Sequence, residues 1–418
     1  MRKVIPIVAT LDTKEAEARF LHQLIEKQGF KAPIIDVSTN PSRAFEATYS
    51  YDNVCRRSGI EVSQLASMRR DRMMQTMGEG AAKILMELYQ KQELAGAIAI
   101  GGNQGTAIAS IAMRSLPIGV PKLIISTVAS GYVRPYVEYK DIVMMFSVAD
   151  FLGGLNTVSR TILTNGAGAV MGMAQHGRLL KKGNKQVIAI TAFGNTETAV
   201  TRARQILEGK GYEVIAFHAS GAGGSAMEYM VEQGFIQGVL DMTTHELIGE
   251  VCGDDIYTPL RPRLVEAGKR GIPQVIVPGA MEYFCFGGPD SIPEKYKGRK
   301  THYHNPYNTN VRANREEIIR TAEVVALKLN KATGPVAVLL PVCGFSENGR
   351  QGNALFDPEM DLVLIKTLRK KLKREIEVIS IKANINDREF AEQAAEVMIR
   401  LMKSCDEEHA TESILDTN

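Results

Sequence analysis

The residues best suited to chemistry sit where apolar runs give way to polar, glycine-bearing turns. Val214 to Phe217 leads into His218-Ala-Ser220-Gly221-Ala-Gly223-Gly224-Ser225, and a helical pattern then runs through Glu228. A strand, a glycine turn and a helix start leave unpaired backbone N–H groups at a helix N-terminus, where an anion is favoured. Phosphate or carboxylate suits such a turn. The other half of the chain has a counterpart, in which Ala97 to Ile100 is followed by Gly101-Gly102-Asn103-Gln104-Gly105-Thr106 and a helix from Ala107 to Arg114. Two such turns suggest a cleft between two domains, with both turns facing it.

Polar groups gather at other strand ends as well. Asp12, Thr13 and Lys14 follow the first apolar run. Thr13 or Asp12 is expected to cap the next helix, while Lys14 can reach a phosphate as a point charge. Asp241 closes another strand and is placed for a ligand hydroxyl, a magnesium-bound water or an arginine. Behind it, Thr243 or Thr244 is expected as a helix cap, with His245 beside them and Glu246 in the first turn, where the helix dipole favours a carboxylate. His302 and His304 are spaced to hold a metal or an anion if the segment is extended; capping a loop and bonding backbone carbonyls is the structural alternative. Cys343 follows a strand, but no base accompanies it, and it reads as a small buried cysteine.

The elements that must position these groups alternate. Strands are expected at Val4 to Ala9, Ile34 to Val37, Ala97 to Ile100, Lys122 to Ile125 and Ile142 to Met145, with helices at Glu15 to Gln28, Met68 to Gln90 and Gly154 to Gln175. A polar, basic link near residues 176–186 precedes a second series: Val187 to Thr191, Glu213 to Phe217, Gly238 to Asp241, Gln274 to Val277, Val336 to Leu340 and Glu377 to Ile381, again interleaved with helices. Such alternation indicates parallel βαβ units. The expected architecture is α/β, with two Rossmann-like, flavodoxin-like doubly wound domains, residues 1–178 and 186–404, and a frayed acidic tail over 405–418. Residues 38–66 and 279–313 read as long irregular loops, the kind that serve as lids or binding arms.

Bulk properties narrow the class. A 44% hydrophobic, 23% charged chain of 418 residues is that of a soluble globular protein, and no apolar run reaches the length of a membrane helix. The N-terminal apolar stretch is too short for a signal peptide. Five scattered cysteines with no CxxC pair fit a reducing cytoplasm, and a net charge of +3 is too balanced for a nucleic-acid-binding field. There is no Walker A motif, and no GxGxxG follows the first strand, which disfavours P-loop NTPases and dinucleotide oxidoreductases.

Taken together and in order, Ala9-Thr-Leu-Asp-Thr-Lys14, Gly101 to Thr106, Phe217 to Glu228, Val239 to His245, Pro278-Gly-Ala280, His304-Asn-Pro306 and Phe356-Asp-Pro358 resemble the UPF0261 family of Tm-1-like ATP-binding proteins. The resemblance covers nearly the whole chain. It implies two Rossmann-like domains, an ATP site and a homodimer. It also implies kinship to the N-terminal part of a plant protein that blocks tobamovirus RNA replication. In that plant protein a TIM barrel follows, so a separately encoded barrel protein is an expected partner. The family commonly reads Gly-Gly-Ser-Gly-Gly-Thr at the first glycine turn, where this chain has Asn103 and Gln104 in the third and fourth places. The leading expectation is ATP with Mg²⁺ between the domains, held by the amides of Gly102 to Thr106 and Gly221 to Ser225. Lys14 supplies charge, and Asp12, Glu228 and Asp241 are available for magnesium or ribose. Two alternatives stand beside it: an enzyme that cleaves or isomerises a small acidic or sugar-acid substrate with His218, His245, His302 and His304, and tentatively Glu228, as acid/base or metal groups, or a nucleotide-gated regulator without catalysis.

Overall fold

Two parallel sheets, each covered by helices on both faces, organise the chain, which a computed structural model describes over residues 3–40, 47–152 and 154–415. The units divide between Lys181 and Lys182. The first contains β1 (Ile7–Ala9), α1 (Leu11–Lys27), β2 (Ile34–Asp36), α2 (Tyr51–Ser58), α3 (Val62–Ala66), α4 (Arg70–Gln90), β3 (Ala97–Gly101), α5 (Asn103–Ser115), β4 (Lys122–Ser126), α6 (Arg134–Val137), β5 (Val143–Phe146) and α7 (Thr157–His176). Its strand order is β2-β1-β3-β4-β5, all parallel.

The central strands of this sheet are apolar throughout because both faces are buried. Ile7, Ile98, Ile100, Leu123 and Ile125 point to one face, against Leu21 and Ile25 of α1 and Leu163 and Val170 of α7. Val8, Ala97, Ala99 and Ile124 point to the other, against Ile84 and Leu85 of α4 and Ile108 and Ala112 of α5. Alternate residues thus serve opposite cores, as strand geometry dictates. Helix α7 carries Gly166 without breaking, since a Cβ there would lie 2.5 Å from Ile125 Cδ1. The glycine lets helix and sheet approach.

The second unit continues with β6 (Val187–Ala192), α8 (Glu197–Gly209), β7 (Glu213–His218), α9 (Ala222–Glu232), β8 (Gly238–Asp241), α10 (Glu246–Cys252), α11 (Glu266–Lys269), β9 (Gln274–Ile276), β10 (Tyr283–Phe286), β11 (Thr301–Asn305), β12 (Asn308–Arg312), α12 (Arg315–Leu329), β13 (Val336–Pro341), α13 (Pro358–Lys371), β14 (Glu377–Ile381) and α14 (Arg388–Leu415). Its six-stranded parallel sheet has the order β14-β13-β9-β8-β6-β7. Counted within the unit, this is the same winding with one strand added. In both sheets the winding direction reverses beside the first strand, between β1 and β3 and between β6 and β8. The crevice at the carboxyl ends of those strands is where doubly wound sheets take ligands.

Three expectations give way. The stretch 38–66 includes α2 and α3; Ser50 Oγ accepts from the Asn53 amide to start α2, and Gly59 at φ 97° ends it. Residues 41–46 lie outside the described residues. The stretch 279–313 contains an antiparallel sheet of order β10-β12-β11, which buries Phe284, Phe286 and Val311. The segment expected to fray after Ser404 continues α14 to Leu415, and residues 416–418 lie outside the described residues. Among the described residues no helix is long and apolar enough to cross a membrane.

Candidate functional site

In the first unit the turns after β1 and β3 flank the point of reversal and share a cavity of about 290 Å³. Thr10, Asp12, Thr13 and Lys14 line one side, Gly102, Asn103, Gln104 and Gly105 another, with Thr39, Asn40 and Arg70 completing it. Gly102 is the N-cap of α5 and no side chain caps that helix, so its first N–H groups are left for a ligand or water. Gly101 is needed for the turn itself, since a Cβ there would lie 2.5 Å from the Thr106 amide nitrogen. Thr106 does not face the cavity; its hydroxyl is buried, 2.6 Å from Ser126 Oγ.

Positive charge reaches this cavity from two sides. Lys14 is buried and donates to the carbonyl oxygens of Phe151 at 3.0 Å and Thr13 at 3.4 Å. Arg70 is exposed at the start of α4 and has no ion-pair partner among the described residues. The expected cap at Asp12 or Thr13 is not there: Thr10 is the N-cap of α1, with no side-chain cap bond. Asp12 and Thr13 line the opening, the Thr13 hydroxyl lying 3.2 Å from Thr10 Oγ1 and 3.4 Å from the Thr10 carbonyl oxygen. Asp36, at the end of the neighbouring strand, is turned away from a ligand role, because its Oδ1 accepts from the Leu11 and Ser38 amides and the Ser38 hydroxyl.

The second glycine turn has a different occupant. Its backbone N–H groups at Gly221 and Gly224 both donate to Glu246 Oε1, so the anion in the bend is the protein's own carboxylate. The glycines serve that approach. A Cβ on Gly224 would lie 1.8 Å from Glu246 Oε2, and one on Gly223 would lie 2.0 Å from the His218 carbonyl oxygen. Ser225 Oγ accepts from the Leu260 and Arg261 amides and donates to the Gly221 carbonyl. The Ser220 amide bonds back to the His218 carbonyl. This bend also follows β7, an edge strand, away from the point of reversal.

The cation expected between Glu228 and Asp241 is likewise internal. Arg263, fully buried, donates from Nη1 to Glu228 at 2.9 Å, from Nη2 to both oxygens of Asp241 at 3.0 and 2.9 Å, and from Nε to Glu246 at 2.6 Å. Of the three roles open to Asp241, the arginine partner is the one found, and the magnesium role of Glu228 and Asp241 gives way to it. Glu228 further accepts from the Leu264 and Glu266 amides at 2.6 and 2.8 Å. Burial pushes the Glu228 and Glu246 carboxyls above the ordinary value, against the lowering influence of the Arg263 charge, and against burial the charges of Asp241, Glu246 and Glu228 hold Arg263 protonated.

Thr243 and Thr244 are not helix caps. Thr243 Oγ1 lies 2.7 Å from Thr196 Oγ1, and Thr244 Oγ1 donates to the Val277 carbonyl at 3.1 Å, stitching the end of β8 to its neighbours. The β6/β8 crevice instead opens into a cavity of about 200 Å³ lined by Phe193, Gly194, Asn195, His218, Tyr257, His304, Asn305, Asn308 and Asn310. His218 and His304 are exposed at this cavity. His302 lies outside its lining, with its ring 5.9 Å from that of His304, and burial together with the His304 charge lowers its pKa. His245 is fully buried behind Phe193, whose ring stacks on it at 5.2 Å. Cys343, expected to be buried, is exposed in the turn after β13. Sequence reasoning missed Arg263 and, apart from Asn305 in the His304-Asn-Pro306 motif, the asparagine lining; these residues stand in no recognisable spacing.

Known proteins resemble this chain over nearly its whole length. The profile described as the Uncharacterised protein family (UPF0261) N-terminal domain matches residues 3–178, and that of the UPF0261 C-terminal domain matches residues 185–402. A UPF0261 protein of Clostridium tetani is 39% identical, over 96% of this chain and 100% of its own length. A UPF0261 protein of Rhizobium meliloti is 35% identical, over 94% and 97% respectively. The ToMV resistance protein Tm-1(GCR237) of Solanum lycopersicum is 36% identical over 92% of this chain, which spans 54% of the tomato protein's length.

Proposed function

The chain belongs to the UPF0261 family, and from that membership and the open bend after β3 we propose that it binds a phosphorylated ligand, ATP with Mg²⁺ foremost, in its N-terminal unit. One observation carries the proposal. Of the two glycine turns, the one at the point of strand reversal has a helix N-terminus with no side-chain cap beside an arginine without an ion-pair partner among the described residues, while the other is filled by Glu246. Phosphate oxygens accept from the α5 amides, Arg70 and Lys14 supply positive charge, and Asp12 is the carboxylate at hand for magnesium. Calorimetric titration with Mg-ATP tests it: saturable heat is expected, and none at millimolar nucleotide would count against it. Asn103→Asp, which sets a negative charge at the start of α5, is expected to weaken binding at least about tenfold.

The cavity beyond β6 and β8 favours a second role, turnover of a small polar or acidic metabolite in the C-terminal unit. Amide side chains at Asn195, Asn305 and Asn308 offer polar groups to an oxygen-rich molecule, and His218 and His304 sit where a proton can be exchanged with it. Native mass spectrometry of the purified protein tests this role. A retained small metabolite lost in His304→Ala supports it, and identical spectra for both proteins oppose it.

A further inference from the structure

Behind that cavity three buried side chains converge, of which His245 stands among the candidate acid/base or metal groups of the enzyme alternative while Asp255 and Cys285 have no role in any reading above. His245 Nε2, a carboxylate oxygen of Asp255 and Cys285 Sγ all lie within 4.8 Å of one another, and all three residues are buried. His245 Nδ1 lies 2.7 Å from the Ala280 carbonyl oxygen, an acceptor only, so Nδ1 carries a proton, and in the neutral ring Nε2 presents its lone pair to Asp255 and Cys285. Among the described residues no hydrogen-bond donor reaches Nε2, although it is fully buried. Its near neighbour is Asp255 Oδ2 at 3.3 Å, another acceptor when ionised. Two lone-pair donors held face to face with a sulfur call for a shared cation.

We propose that His245, Asp255 and Cys285 form a binding site for a divalent transition-metal ion of the zinc class. Nitrogen, oxygen and thiolate sulfur are the donors such an ion takes, and tetrahedral ligation at ordinary bond lengths separates ligand atoms by about 3.6 Å. A thiolate and a carboxylate with a neutral imidazole balance the ion's charge, so a fully buried cluster carries no net charge. Three protein ligands leave the fourth position for water or a small ligand atom.

The surroundings orient each donor as outer partners of metal ligands do. The Nδ1–H of His245 is held by the Ala280 carbonyl, and Ala280 itself sits at φ 55°, a left-handed conformation unusual for a residue with a Cβ. Asp255 accepts from the Tyr257 amide through Oδ1 at 2.7 Å and from the Cys285 amide through Oδ2 at 2.6 Å. Asn310 Nδ2 donates to Cys285 Sγ at 3.0 Å, treating the sulfur as an acceptor. Asn310 and Tyr257 also line the cavity, which sets the cluster directly behind the cavity wall.

This site is independent of phosphate binding in the other unit, and its test reads metal alone. The full chain, expressed in zinc-supplemented medium without a polyhistidine tag, is expected to retain about one equivalent of zinc. After chelation, Co²⁺ is expected to give a near-ultraviolet sulfur-to-cobalt charge-transfer band that Cys285→Ser lacks while keeping its far-ultraviolet circular dichroism. Asp255→Asn is expected to lower cobalt affinity at least about tenfold. If a variant fails to fold, the wild-type cobalt spectrum still decides. Absence of both stoichiometric metal and a charge-transfer band in wild-type protein would overturn the proposal, as would an unchanged band in folded Cys285→Ser.

Discussion

Replacing Arg263 by methionine removes the guanidinium that bonds Glu228, Asp241 and Glu246 and leaves their carboxyls buried together. Breaking a buried ion pair from one side costs about 3–5 kcal/mol, because the remaining charge loses its partner without regaining water. For a unit of this size each kcal/mol moves the midpoint by about 2–4 °C, so the C-terminal transition of Arg263→Met should fall by about 6–20 °C. The loss must also depend on pH. Glu228 and Glu246 already titrate above their ordinary value of 4.5 because burial disfavours the charged form, and the Arg263 charge is what restrains them. A carboxyl whose pKa is raised on folding contributes its stability below the unfolded pKa and loses it as pH rises through the folded value. Without Arg263 the folded values climb further, so the deficit relative to wild type should be small near pH 4.5 and grow toward neutral pH. Urea unfolding of the full chain, followed by far-ultraviolet circular dichroism because the chain lacks tryptophan, measures this across pH. A variant within about 1 kcal/mol of wild type at neutral pH, with no pH trend, would refute the assigned network.

Asn103→Asp should separate stability from binding: a carboxylate at the start of α5 complements the helix dipole by about 0.3–1 kcal/mol, yet repels a bound phosphate. Thermal melts and Mg-ATP titrations of one preparation read both. Gly224→Ala should cost about 3 kcal/mol or more, because its methyl would lie 1.8 Å from Glu246 Oε2 and 2.4 Å from Arg263 Nε; a neutral effect in urea titration would show that the bend is not closed on Glu246. Iodoacetamide under native conditions should modify exposed Cys343 ahead of buried Cys55 and Cys285, as peptide mapping would show.

Fold class was legible because both sheets are buried on two faces. β-branched runs such as Ala97–Gly101 and Val187–Ala192 stand out from the helices around them, and most element ends fall within a few residues of expectation. The antiparallel sheet was not. In β10 every residue is buried, which erases the alternation that marks a strand, and β12 reads as polar because Asn310 and Arg312 are buried by bonding to neighbours rather than by being apolar. At the glycine turns the sequence correctly signals an anion at a helix start, but Glu246 lies 25 residues from Gly221 and no local pattern reveals which anion occupies the bend. Asp255 and Cys285, 30 residues apart, were invisible for the same reason.

The claim that the turn after β3 takes the phosphate, and the turn after β7 does not, meets its most direct test in photoaffinity labelling with an azido-ATP and peptide mapping. Competable adducts are expected in peptides carrying Arg70 or Gly101 to Thr106, which line or lead into the first-unit cavity. Adducts confined to peptides carrying His218 to Ser225, or no competable adduct anywhere, would contradict it.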